Sequence, residues 1–426
     1  MPPEERKLMD TSTGPDTVIV GAGVAGLTAA WNLHKAGQAV TVVDPEPGMG
    51  ASRAAAGMIA AVSEVMYQHT TMRTLMTTSA AMYPPLVAEL TDLLGHDVGF
   101  RDTPTLDIGA HPGDRDYFSA LAEVQRAAGM TVERITTRQA RSLEPALSPT
   151  ISGAFLVSGD HQINPRRLVP SLIEALETSA AAGGPPFILL RRRAVEVLRA
   201  GEDATGAVTG VRLDDGTVIT AGTTLLCPGV SLATVGGLPE ADCVKLRPVH
   251  GDILRARLRP GRPPLLERTV RGMVDGRPVY LVPRTDGEIV IGATEREDSF
   301  DGVVLEGAYQ LLRDAQVLVP GAADLELTEI LARARPGTPD DLPYIGRLDG
   351  VDGLVISTGY SRHGILLAPL GGHLAAGLVL GTAPTEQDAG ILAATDPRRT
   401  ADPAVVDSAS GDPSNGHRTP RERTAP

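Results

Sequence analysis

Apolar positions along this chain follow two periods. Thr17-Val18-Ile19-Val20 is an unbroken β-type run, followed at once by Gly21-Ala22-Gly23-Val24-Ala25-Gly26. Leu27 to Ala36 then has the spacing of a helix that Gly37 ends, and Ala39 to Val43 reads as a second strand closing in Asp44. The alternation stops there: residues 45–61 are Gly/Ala-rich and read as an ordered loop, not a helix–strand repeat. A helix is predicted from Asp114 to Ala128, with Phe118, Leu121 and Val124 on one face. Another starts at Asn164-Pro165, a cap followed by proline at the first helical position, and carries Leu168, Leu172 and Leu176. A third runs from Glu306 to Leu318, before Pro320-Gly321.

Two hairpins are expected. Val211 to Leu213 and Val218-Ile219 flank Asp215-Gly216, and Val279 to Val282 and Ile289 to Ile291 flank Asp286-Gly287. With a two-residue turn at Asp286-Gly287, Tyr280 pairs with Ala293 and lies diagonal to Glu295 on one sheet face. Gly364 to Gly381 is uncharged and mostly apolar, but it holds Pro369, His373 and several glycines, so it reads as a buried helix and not a membrane span. Residues 1–14 read as a disordered leader. Residues 385–426, without an aromatic and rich in Asp, Arg, Pro, Ser and Thr, read as a disordered tail.

At 426 residues, 42% hydrophobic and 21% charged, the composition is globular and allows two or three domains. A formal charge of −13 argues against nucleic acid or an anionic membrane as partner. Cys227 and Cys243, with no C-x-x-C, exclude a disulfide scaffold and a cysteine-rich metal site; no metal site is expected. The charged opening MPPEERKLMD lacks a secretory pattern, so a cytoplasmic location is expected. No G-x-S-x-G or H-E-x-x-H occurs, which leaves little for a hydrolase or metalloenzyme.

The G-x-G-x-x-G between a strand and a helix, with Asp44 closing the second strand, is a dinucleotide signature. Glycines let the backbone turn tightly against a pyrophosphate at the helix N-terminus, and Asp44 accepts from an adenosine ribose. The fingerprint does not choose between NAD and FAD. It occurs once, which disfavours an enzyme that draws electrons from NADPH through a second such unit.

Several further segments, TVIVGAGVAGLTAAWNL, SRAAAGMIA, SLEPALSPTISGAFLVSGDHQINPRRLV, RPVHGDILR, VYLVPRTDGEIVIGAT, RPGTPDDLPYIG and GYSRHGILLAP, resemble in order the FAD-dependent D-amino acid oxidase superfamily. Within it they are most similar to the glycine oxidases of bacterial thiamine biosynthesis. The resemblance implies an α/β fold: a Rossmann-type FAD-binding domain assembled from residues 15–82, 152–244 and 332–384, with an inserted α+β substrate domain on an antiparallel sheet, from 83–151 and 245–331. FAD is then held without a covalent bond, neither cysteine falling in a flavin-contacting motif. It is contacted through Gly21, Gly23, Val24, Ala25 and Gly26, Asp44, Ala51 and Ser52, and Ala56, Gly57 and Met58. Val195, in the strand-like AVEVL, meets the adenine, and the loop Tyr360 to Leu366, with Arg362, His363, Gly364, Ile365 and Leu366, holds the isoalloxazine edge.

The same resemblance makes Arg335 the carboxylate-binding arginine, whose planar fork fixes a substrate's orientation as well as its charge. Tyr280 helps it, and Arg362 joins them as a third catalytic candidate. Met58, Glu295 and His363 face the substrate. Read from residues alone, Arg335 is equally a surface arginine beside Arg333, and Gly359 to Gly364 only a glycine-capped turn. Glu295 stands where the family is usually apolar: either a solvated residue paired with Arg296 or another neighbour, or a counter-charge for a distal amine. His363 replaces a common asparagine and Tyr360 a histidine. Leu331, Arg333 and Ala334 replace a Trp, a Gly and a Leu, and His250 and Asp252 a basic residue and a glutamine.

The implied activity is oxidative deamination of glycine or a small amino acid or amine by hydride transfer to flavin. Molecular oxygen is the acceptor, and oxo acid, ammonia and hydrogen peroxide leave. No side-chain base is required, and His161 and His363 are read as structural. Homo-oligomerisation is typical of such enzymes. The alternatives are an oxidase of an N-substituted glycine or larger amino acid in a specialised pathway, a flavin dehydrogenase with another acceptor, or a non-catalytic flavin-binding protein.

Overall fold

A computed structural model describes residues 16–65, 69–201, 206–238, 244–348 and 351–399. The expected leader at 1–14, most of the expected tail, and Cys243 lie outside these residues. Strand β1 (Thr17–Val20), helix α1 (Val24–Lys35) and strand β2 (Val40–Val43) form the predicted βαβ unit, with β1 and β2 paired in parallel. Both strands are fully buried, as expected of apolar runs in a parallel sheet covered on two faces. Their sheet has six strands in the order 344–347, 354–358, 223–226, β1, β2 and 187–190; all pairs are parallel except the first. The apolar segment after Gly364 is a helix, Ala368–Leu380, buried against α1.

A second sheet has eight strands in the order 326–337, 247–257, 288–292, 277–283, 270–274, 105–109, 153–157 and 132–135. Its pairs are antiparallel except 270–274 with 105–109. The helix Leu305–Leu318 packs over it, burying Leu311, Ala315 and Leu318 in that sheet's own core. The architecture is thus the expected α/β one, a Rossmann-type sheet joined to an antiparallel sheet with helices.

Five expectations need correction. Gly153–Val157, placed by a boundary at 152 with the flavin-binding part, belongs to the eight-stranded sheet, paired with 105–109 and 132–135. The strand 326–337 likewise runs through the boundary at 331/332. The loop at 45–61 holds a short helix, Ala51–Ala54, and a two-residue strand, Met58–Ile59. The tail does not begin at 385: Thr385 caps a helix, Glu386–Thr395, whose Ile391 is buried in the core beside α1. Tyr280 pairs with Gly292, not Ala293. The loop at Asp286 has three residues, closed by Arg284 and Glu288, with Gly287 in the left-handed region at φ 84°. That longer turn moves the register by one.

Candidate active site

One cleft of about 340 Å³ runs from the N-terminus of α1 to the eight-stranded sheet. At its first end Gly21, Gly23, Val24, Ala25, Asp44, Ala51, Ser52, Ala56, Gly57 and Met58 form the wall. Gly21 adopts φ 107°, and a Cβ there would collide with the Cys227 carbonyl oxygen. Gly26 does not line the cleft; its missing side chain lets α1 lie against the Gly21 carbonyl. Val195 is also absent from the wall, its carbonyl accepting from the Gly236 N–H in a separate antiparallel sheet.

Asp44 is fixed by main chain: Oδ2 accepts from the Ala22 N–H at 2.7 Å and Oδ1 from the Glu46 N–H at 2.8 Å. A carboxylate has about four acceptor positions, so two remain for a ribose. Ser52 Oγ accepts from the Val24 N–H at 3.1 Å. Helix α1 has no side-chain cap and no acidic residue in its first turn, so orphan N–H groups and the positive end of the dipole open into the cleft. These residues fit the pyrophosphate and ribose of FAD.

Cys227 to Ser231 line this end too and were missed from sequence; the signal was the apolar run Thr223–Leu226 stopping at Pro228-Gly229, at the carboxyl end of a strand next to β1. Cys227 therefore does face the dinucleotide site, contrary to expectation. Burial pushes its thiol up to about 12, against a Ser357 hydrogen bond that lowers it, so it stays protonated and unreactive.

Two buried arginines tie the halves together. Arg255 donates to Glu288 at 2.7 Å and reaches the Arg53 and Ala55 carbonyls, while Arg284 donates to Gln162, Ile163 and the Ala56 carbonyl. The segment 53–57 is thereby held from the opposite sheet. The loop 360–366 is anchored similarly: Tyr83 Oη donates to the Ile365 carbonyl, and Tyr360 Oη lies 2.6 Å from Ser357 Oγ.

At the second end Arg335, Tyr280, Met58, Glu295, Arg362 and His363 are all on the wall. The Arg335 guanidinium makes one contact, to the Thr294 carbonyl at 3.3 Å, and has no carboxylate partner among the described residues. Gly251, in RPVHGD, leaves the space it occupies: a Cβ there would lie 2.6 Å from both its terminal nitrogens. The Tyr280 ring sits over Gly292 for the same reason. Burial pushes the Tyr280 phenol up to about 12, so it remains a donor.

Arg362 is not free. It donates to Glu295 at 2.7 Å, and each side chain of the pair is 47% exposed. Glu295 lines the cleft with Tyr280 although the predicted diagonal does not exist: the ladder ends at Gly292 and the chain turns to bridge His250 with Arg296. His250 and Asp252 are buried and engaged elsewhere, His250 with the exposed Asp301 at 2.7 Å and Asp252 as acceptor from the Thr294 hydroxyl at 2.9 Å.

The sequence reading also missed Glu64 and Arg271. Glu64 Oε2 lies 3.1 Å from His363 Nδ1, and Arg271 donates to the Ser63 carbonyl at 2.8 Å and to Asp107 at 3.4 Å. No spacing pointed to either, since the contacts join segments hundreds of residues apart. Among the described residues no His/Cys/Asp/Glu group could hold a metal ion, and no helix is long and apolar enough to cross a membrane.

A glycine turn beneath the N-terminus of α1, at the carboxyl end of a parallel strand and open to one cleft, is the arrangement of a dinucleotide-binding protein. The model of the FAD dependent oxidoreductase (DAO) family matches residues 16–378, and the chain belongs to that family; it is an FAD-dependent enzyme. It is 31% identical over 367 residues to a glycine oxidase of Geobacillus kaustophilus, covering 85% of this chain and 92% of that protein. The crystal structure of glycine oxidase from that organism superposes with a TM-score of 0.77 at 30% identity, covering 91% of this chain and all of the other. It is also 27% identical over 394 residues to the hydrogen cyanide synthase subunit HcnC of Pseudomonas aeruginosa, covering 84% of this chain and 91% of the relative.

Proposed function

We propose that this chain is an FAD-dependent oxidase that deaminates glycine or another small amino acid, releasing oxo acid, ammonia and hydrogen peroxide. The observation that carries this reading is Arg335, an unpaired guanidinium aimed into the cleft beside the Tyr280 phenol. A carboxylate there gains a bidentate, charge-assisted contact and a second donor, which fixes the direction of its Cα–H. Bound FAD supplies the two-electron acceptor, reoxidised by molecular oxygen. The protonated Cys227 thiol supports non-covalent retention of the cofactor. The likeness to glycine oxidases supports the substrate class.

The test is the visible spectrum of the purified yellow protein under anaerobic conditions. Glycine should bleach it; bleaching by none of glycine, alanine and sarcosine would remove this reading. A second reading, an N-substituted glycine or larger amino acid in a specialised pathway, is favoured by the Glu295–Arg362 pair. It is half exposed at the cleft wall, so a longer substrate can part it at little cost. Turnover of sarcosine without turnover of glycine selects that reading.

A further inference from the structure

We infer that His363, held by Glu64, is the base that removes the ammonium proton of the bound substrate. The inference rests on the amino acid oxidase reading above. An amino acid arrives at neutral pH carrying an ammonium group, yet oxidation at Cα needs the nitrogen lone pair. The cleft that receives it holds Arg335, Arg362 and Arg271, which favour loss of that proton but do not accept it.

His363 is 5% exposed and lines the cleft. Its Nδ1 lies 3.1 Å from Glu64 Oε2, at ion-pair distance but without hydrogen-bond alignment, and its Nε2 makes no hydrogen bond among the described residues. A carboxylate at one ring nitrogen fixes the tautomer in which the other is the acceptor, and stabilises the imidazolium once formed. Burial alone would push the Glu64 carboxyl up, but its contact with His363 and the charges of His363, Arg271 and Arg362 hold it down at about 2. It is permanently an anion, suited to supporting a cation and not to accepting the proton itself.

The turn that carries Glu64 is built to keep it there. The Asp160 carboxylate accepts from the Val62 and Ser63 N–H groups at 2.8 and 3.1 Å, Gln125 donates to the Val62 carbonyl at 2.9 Å, and Arg271 to the Ser63 carbonyl. The charged and titratable groups around the dyad are Arg362 on the same turn as His363, Glu295 beyond the strand 288–292, Arg271 with Asp107 and Asp160 behind it, and Tyr280 with Arg335. In the step, one ammonium N–H bond breaks, its electron pair stays on nitrogen, and a Nε2–H bond forms. The imidazolium pairs with Glu64 and returns its proton to solvent after product leaves.

The experiment uses holoenzyme, His363→Asn and Glu64→Gln. Binding of 2-aminoisobutyrate, which has no Cα–H and cannot be oxidised, is measured calorimetrically at pH 8 in buffers of different ionisation enthalpy. Wild type should release close to no proton, because His363 keeps it, and His363→Asn about one. Anaerobic flavin bleaching by glycine should fall about 100-fold in His363→Asn at pH 7, and stay within about twofold of wild type at pH 10, where the amine is already neutral. Glu64→Gln should lower the pH 7 rate about tenfold with the same recovery. Equal proton counts and parallel pH profiles in all three proteins would make Glu64–His363 a structural pin and overturn the inference. Absence of bleaching by any amino acid even at pH 10 would instead overturn the reading on which it rests.

Discussion

At the dinucleotide end of the cleft the chemistry is carried by main chain: glycines without side chains, orphan N–H groups of α1, and an Asp44 pinned by two backbone donors. At the substrate end it is carried by long charged side chains, Arg335, Arg362, Glu295, Glu64 and Arg271, drawn from strands and loops far apart in sequence. Backbone that must touch a ligand tolerates no added atoms, so the first end is rigid in composition. Side chains that meet across a cleft can be exchanged without disturbing the sheets beneath them, so the second end is where enzymes on one scaffold come to differ. Changes at the first end should therefore cost cofactor and fold together, and changes at the second should cost substrate alone.

The largest expected effect is Gly21→Ala. The new Cβ sits at a positive φ and meets the Cys227 carbonyl backbone, which cannot yield. Left-handed strain and overpacking together amount to about 2–5 kcal/mol. Bound flavin per protein should fall at least tenfold, with a lower thermal transition. A variant that kept its yellow colour would break the distinction between the two ends.

Next comes Arg335→Ala. Loss of a charge-assisted carboxylate contact costs about 2–4 kcal/mol, roughly a 30- to 900-fold rise in the glycine concentration that half-reduces the flavin. Flavin content should be unchanged, since Arg335 touches only the Thr294 carbonyl. An unaltered half-saturation would remove Arg335 from the site.

This division also explains what could be read in the sequence. The β1–α1–β2 unit, the Asn164 cap and the long apolar helices are local, and each is visible in a window of a dozen residues. Gly21, Asp44 and Ser52 belong to contiguous motifs, so the dinucleotide end was legible. Val195, which does not line the cleft, came through family position, with no local signal for what its strand would face. Tyr280's partner was missed by one residue because Asp-Gly is compatible with both two- and three-residue loops, and only the Arg284–Glu288 closure decides between them. Glu64, Arg271 and the partner of Glu295 were invisible because tertiary contacts with no sequence period create them. The family's variable positions marked the wall that differs, without showing that Glu295 would face Arg362.

A smaller, pH-dependent effect lies behind the substrate end, where Asp160 holds the turn that carries Glu64. Burial pushes the Asp160 carboxyl up to about 7, well above its unfolded value, although the Ser63 and Val62 hydrogen bonds oppose the shift. Between those values the folded state binds more protons than the unfolded one, so Asp160's contribution to stability falls as pH rises through this window and is fully present below it. Asp160→Asn removes that titration and leaves one of two backbone N–H groups without its acceptor, a cost of about 1–3 kcal/mol at pH 5. Its melting temperature should consequently change less between pH 5 and pH 8 than that of wild type. Parallel melting curves would mean that Asp160 is ionised throughout.

The smallest effect, and the one that most sharpens the account of the substrate end, belongs to Glu295→Gln. An ion pair with both partners half exposed is worth about 0.2–1 kcal/mol, so stability and flavin content should barely move. What changes is the charge at the cleft wall, where Arg362 loses its counter-ion. If the pair screens Arg362, amino acids with a second carboxylate should gain up to about fivefold in half-saturation, and the gain should fade in high salt. If Glu295 instead serves a distal substrate amine, diamino acids should lose about tenfold or more and dicarboxylates should not respond. The 2.7 Å contact already satisfies Glu295 with Arg362, which favours the first outcome. In that case the departure at residue 295 limits which anions Arg362 can attract and leaves Arg335, which has no carboxylate partner among the described residues, to choose the substrate.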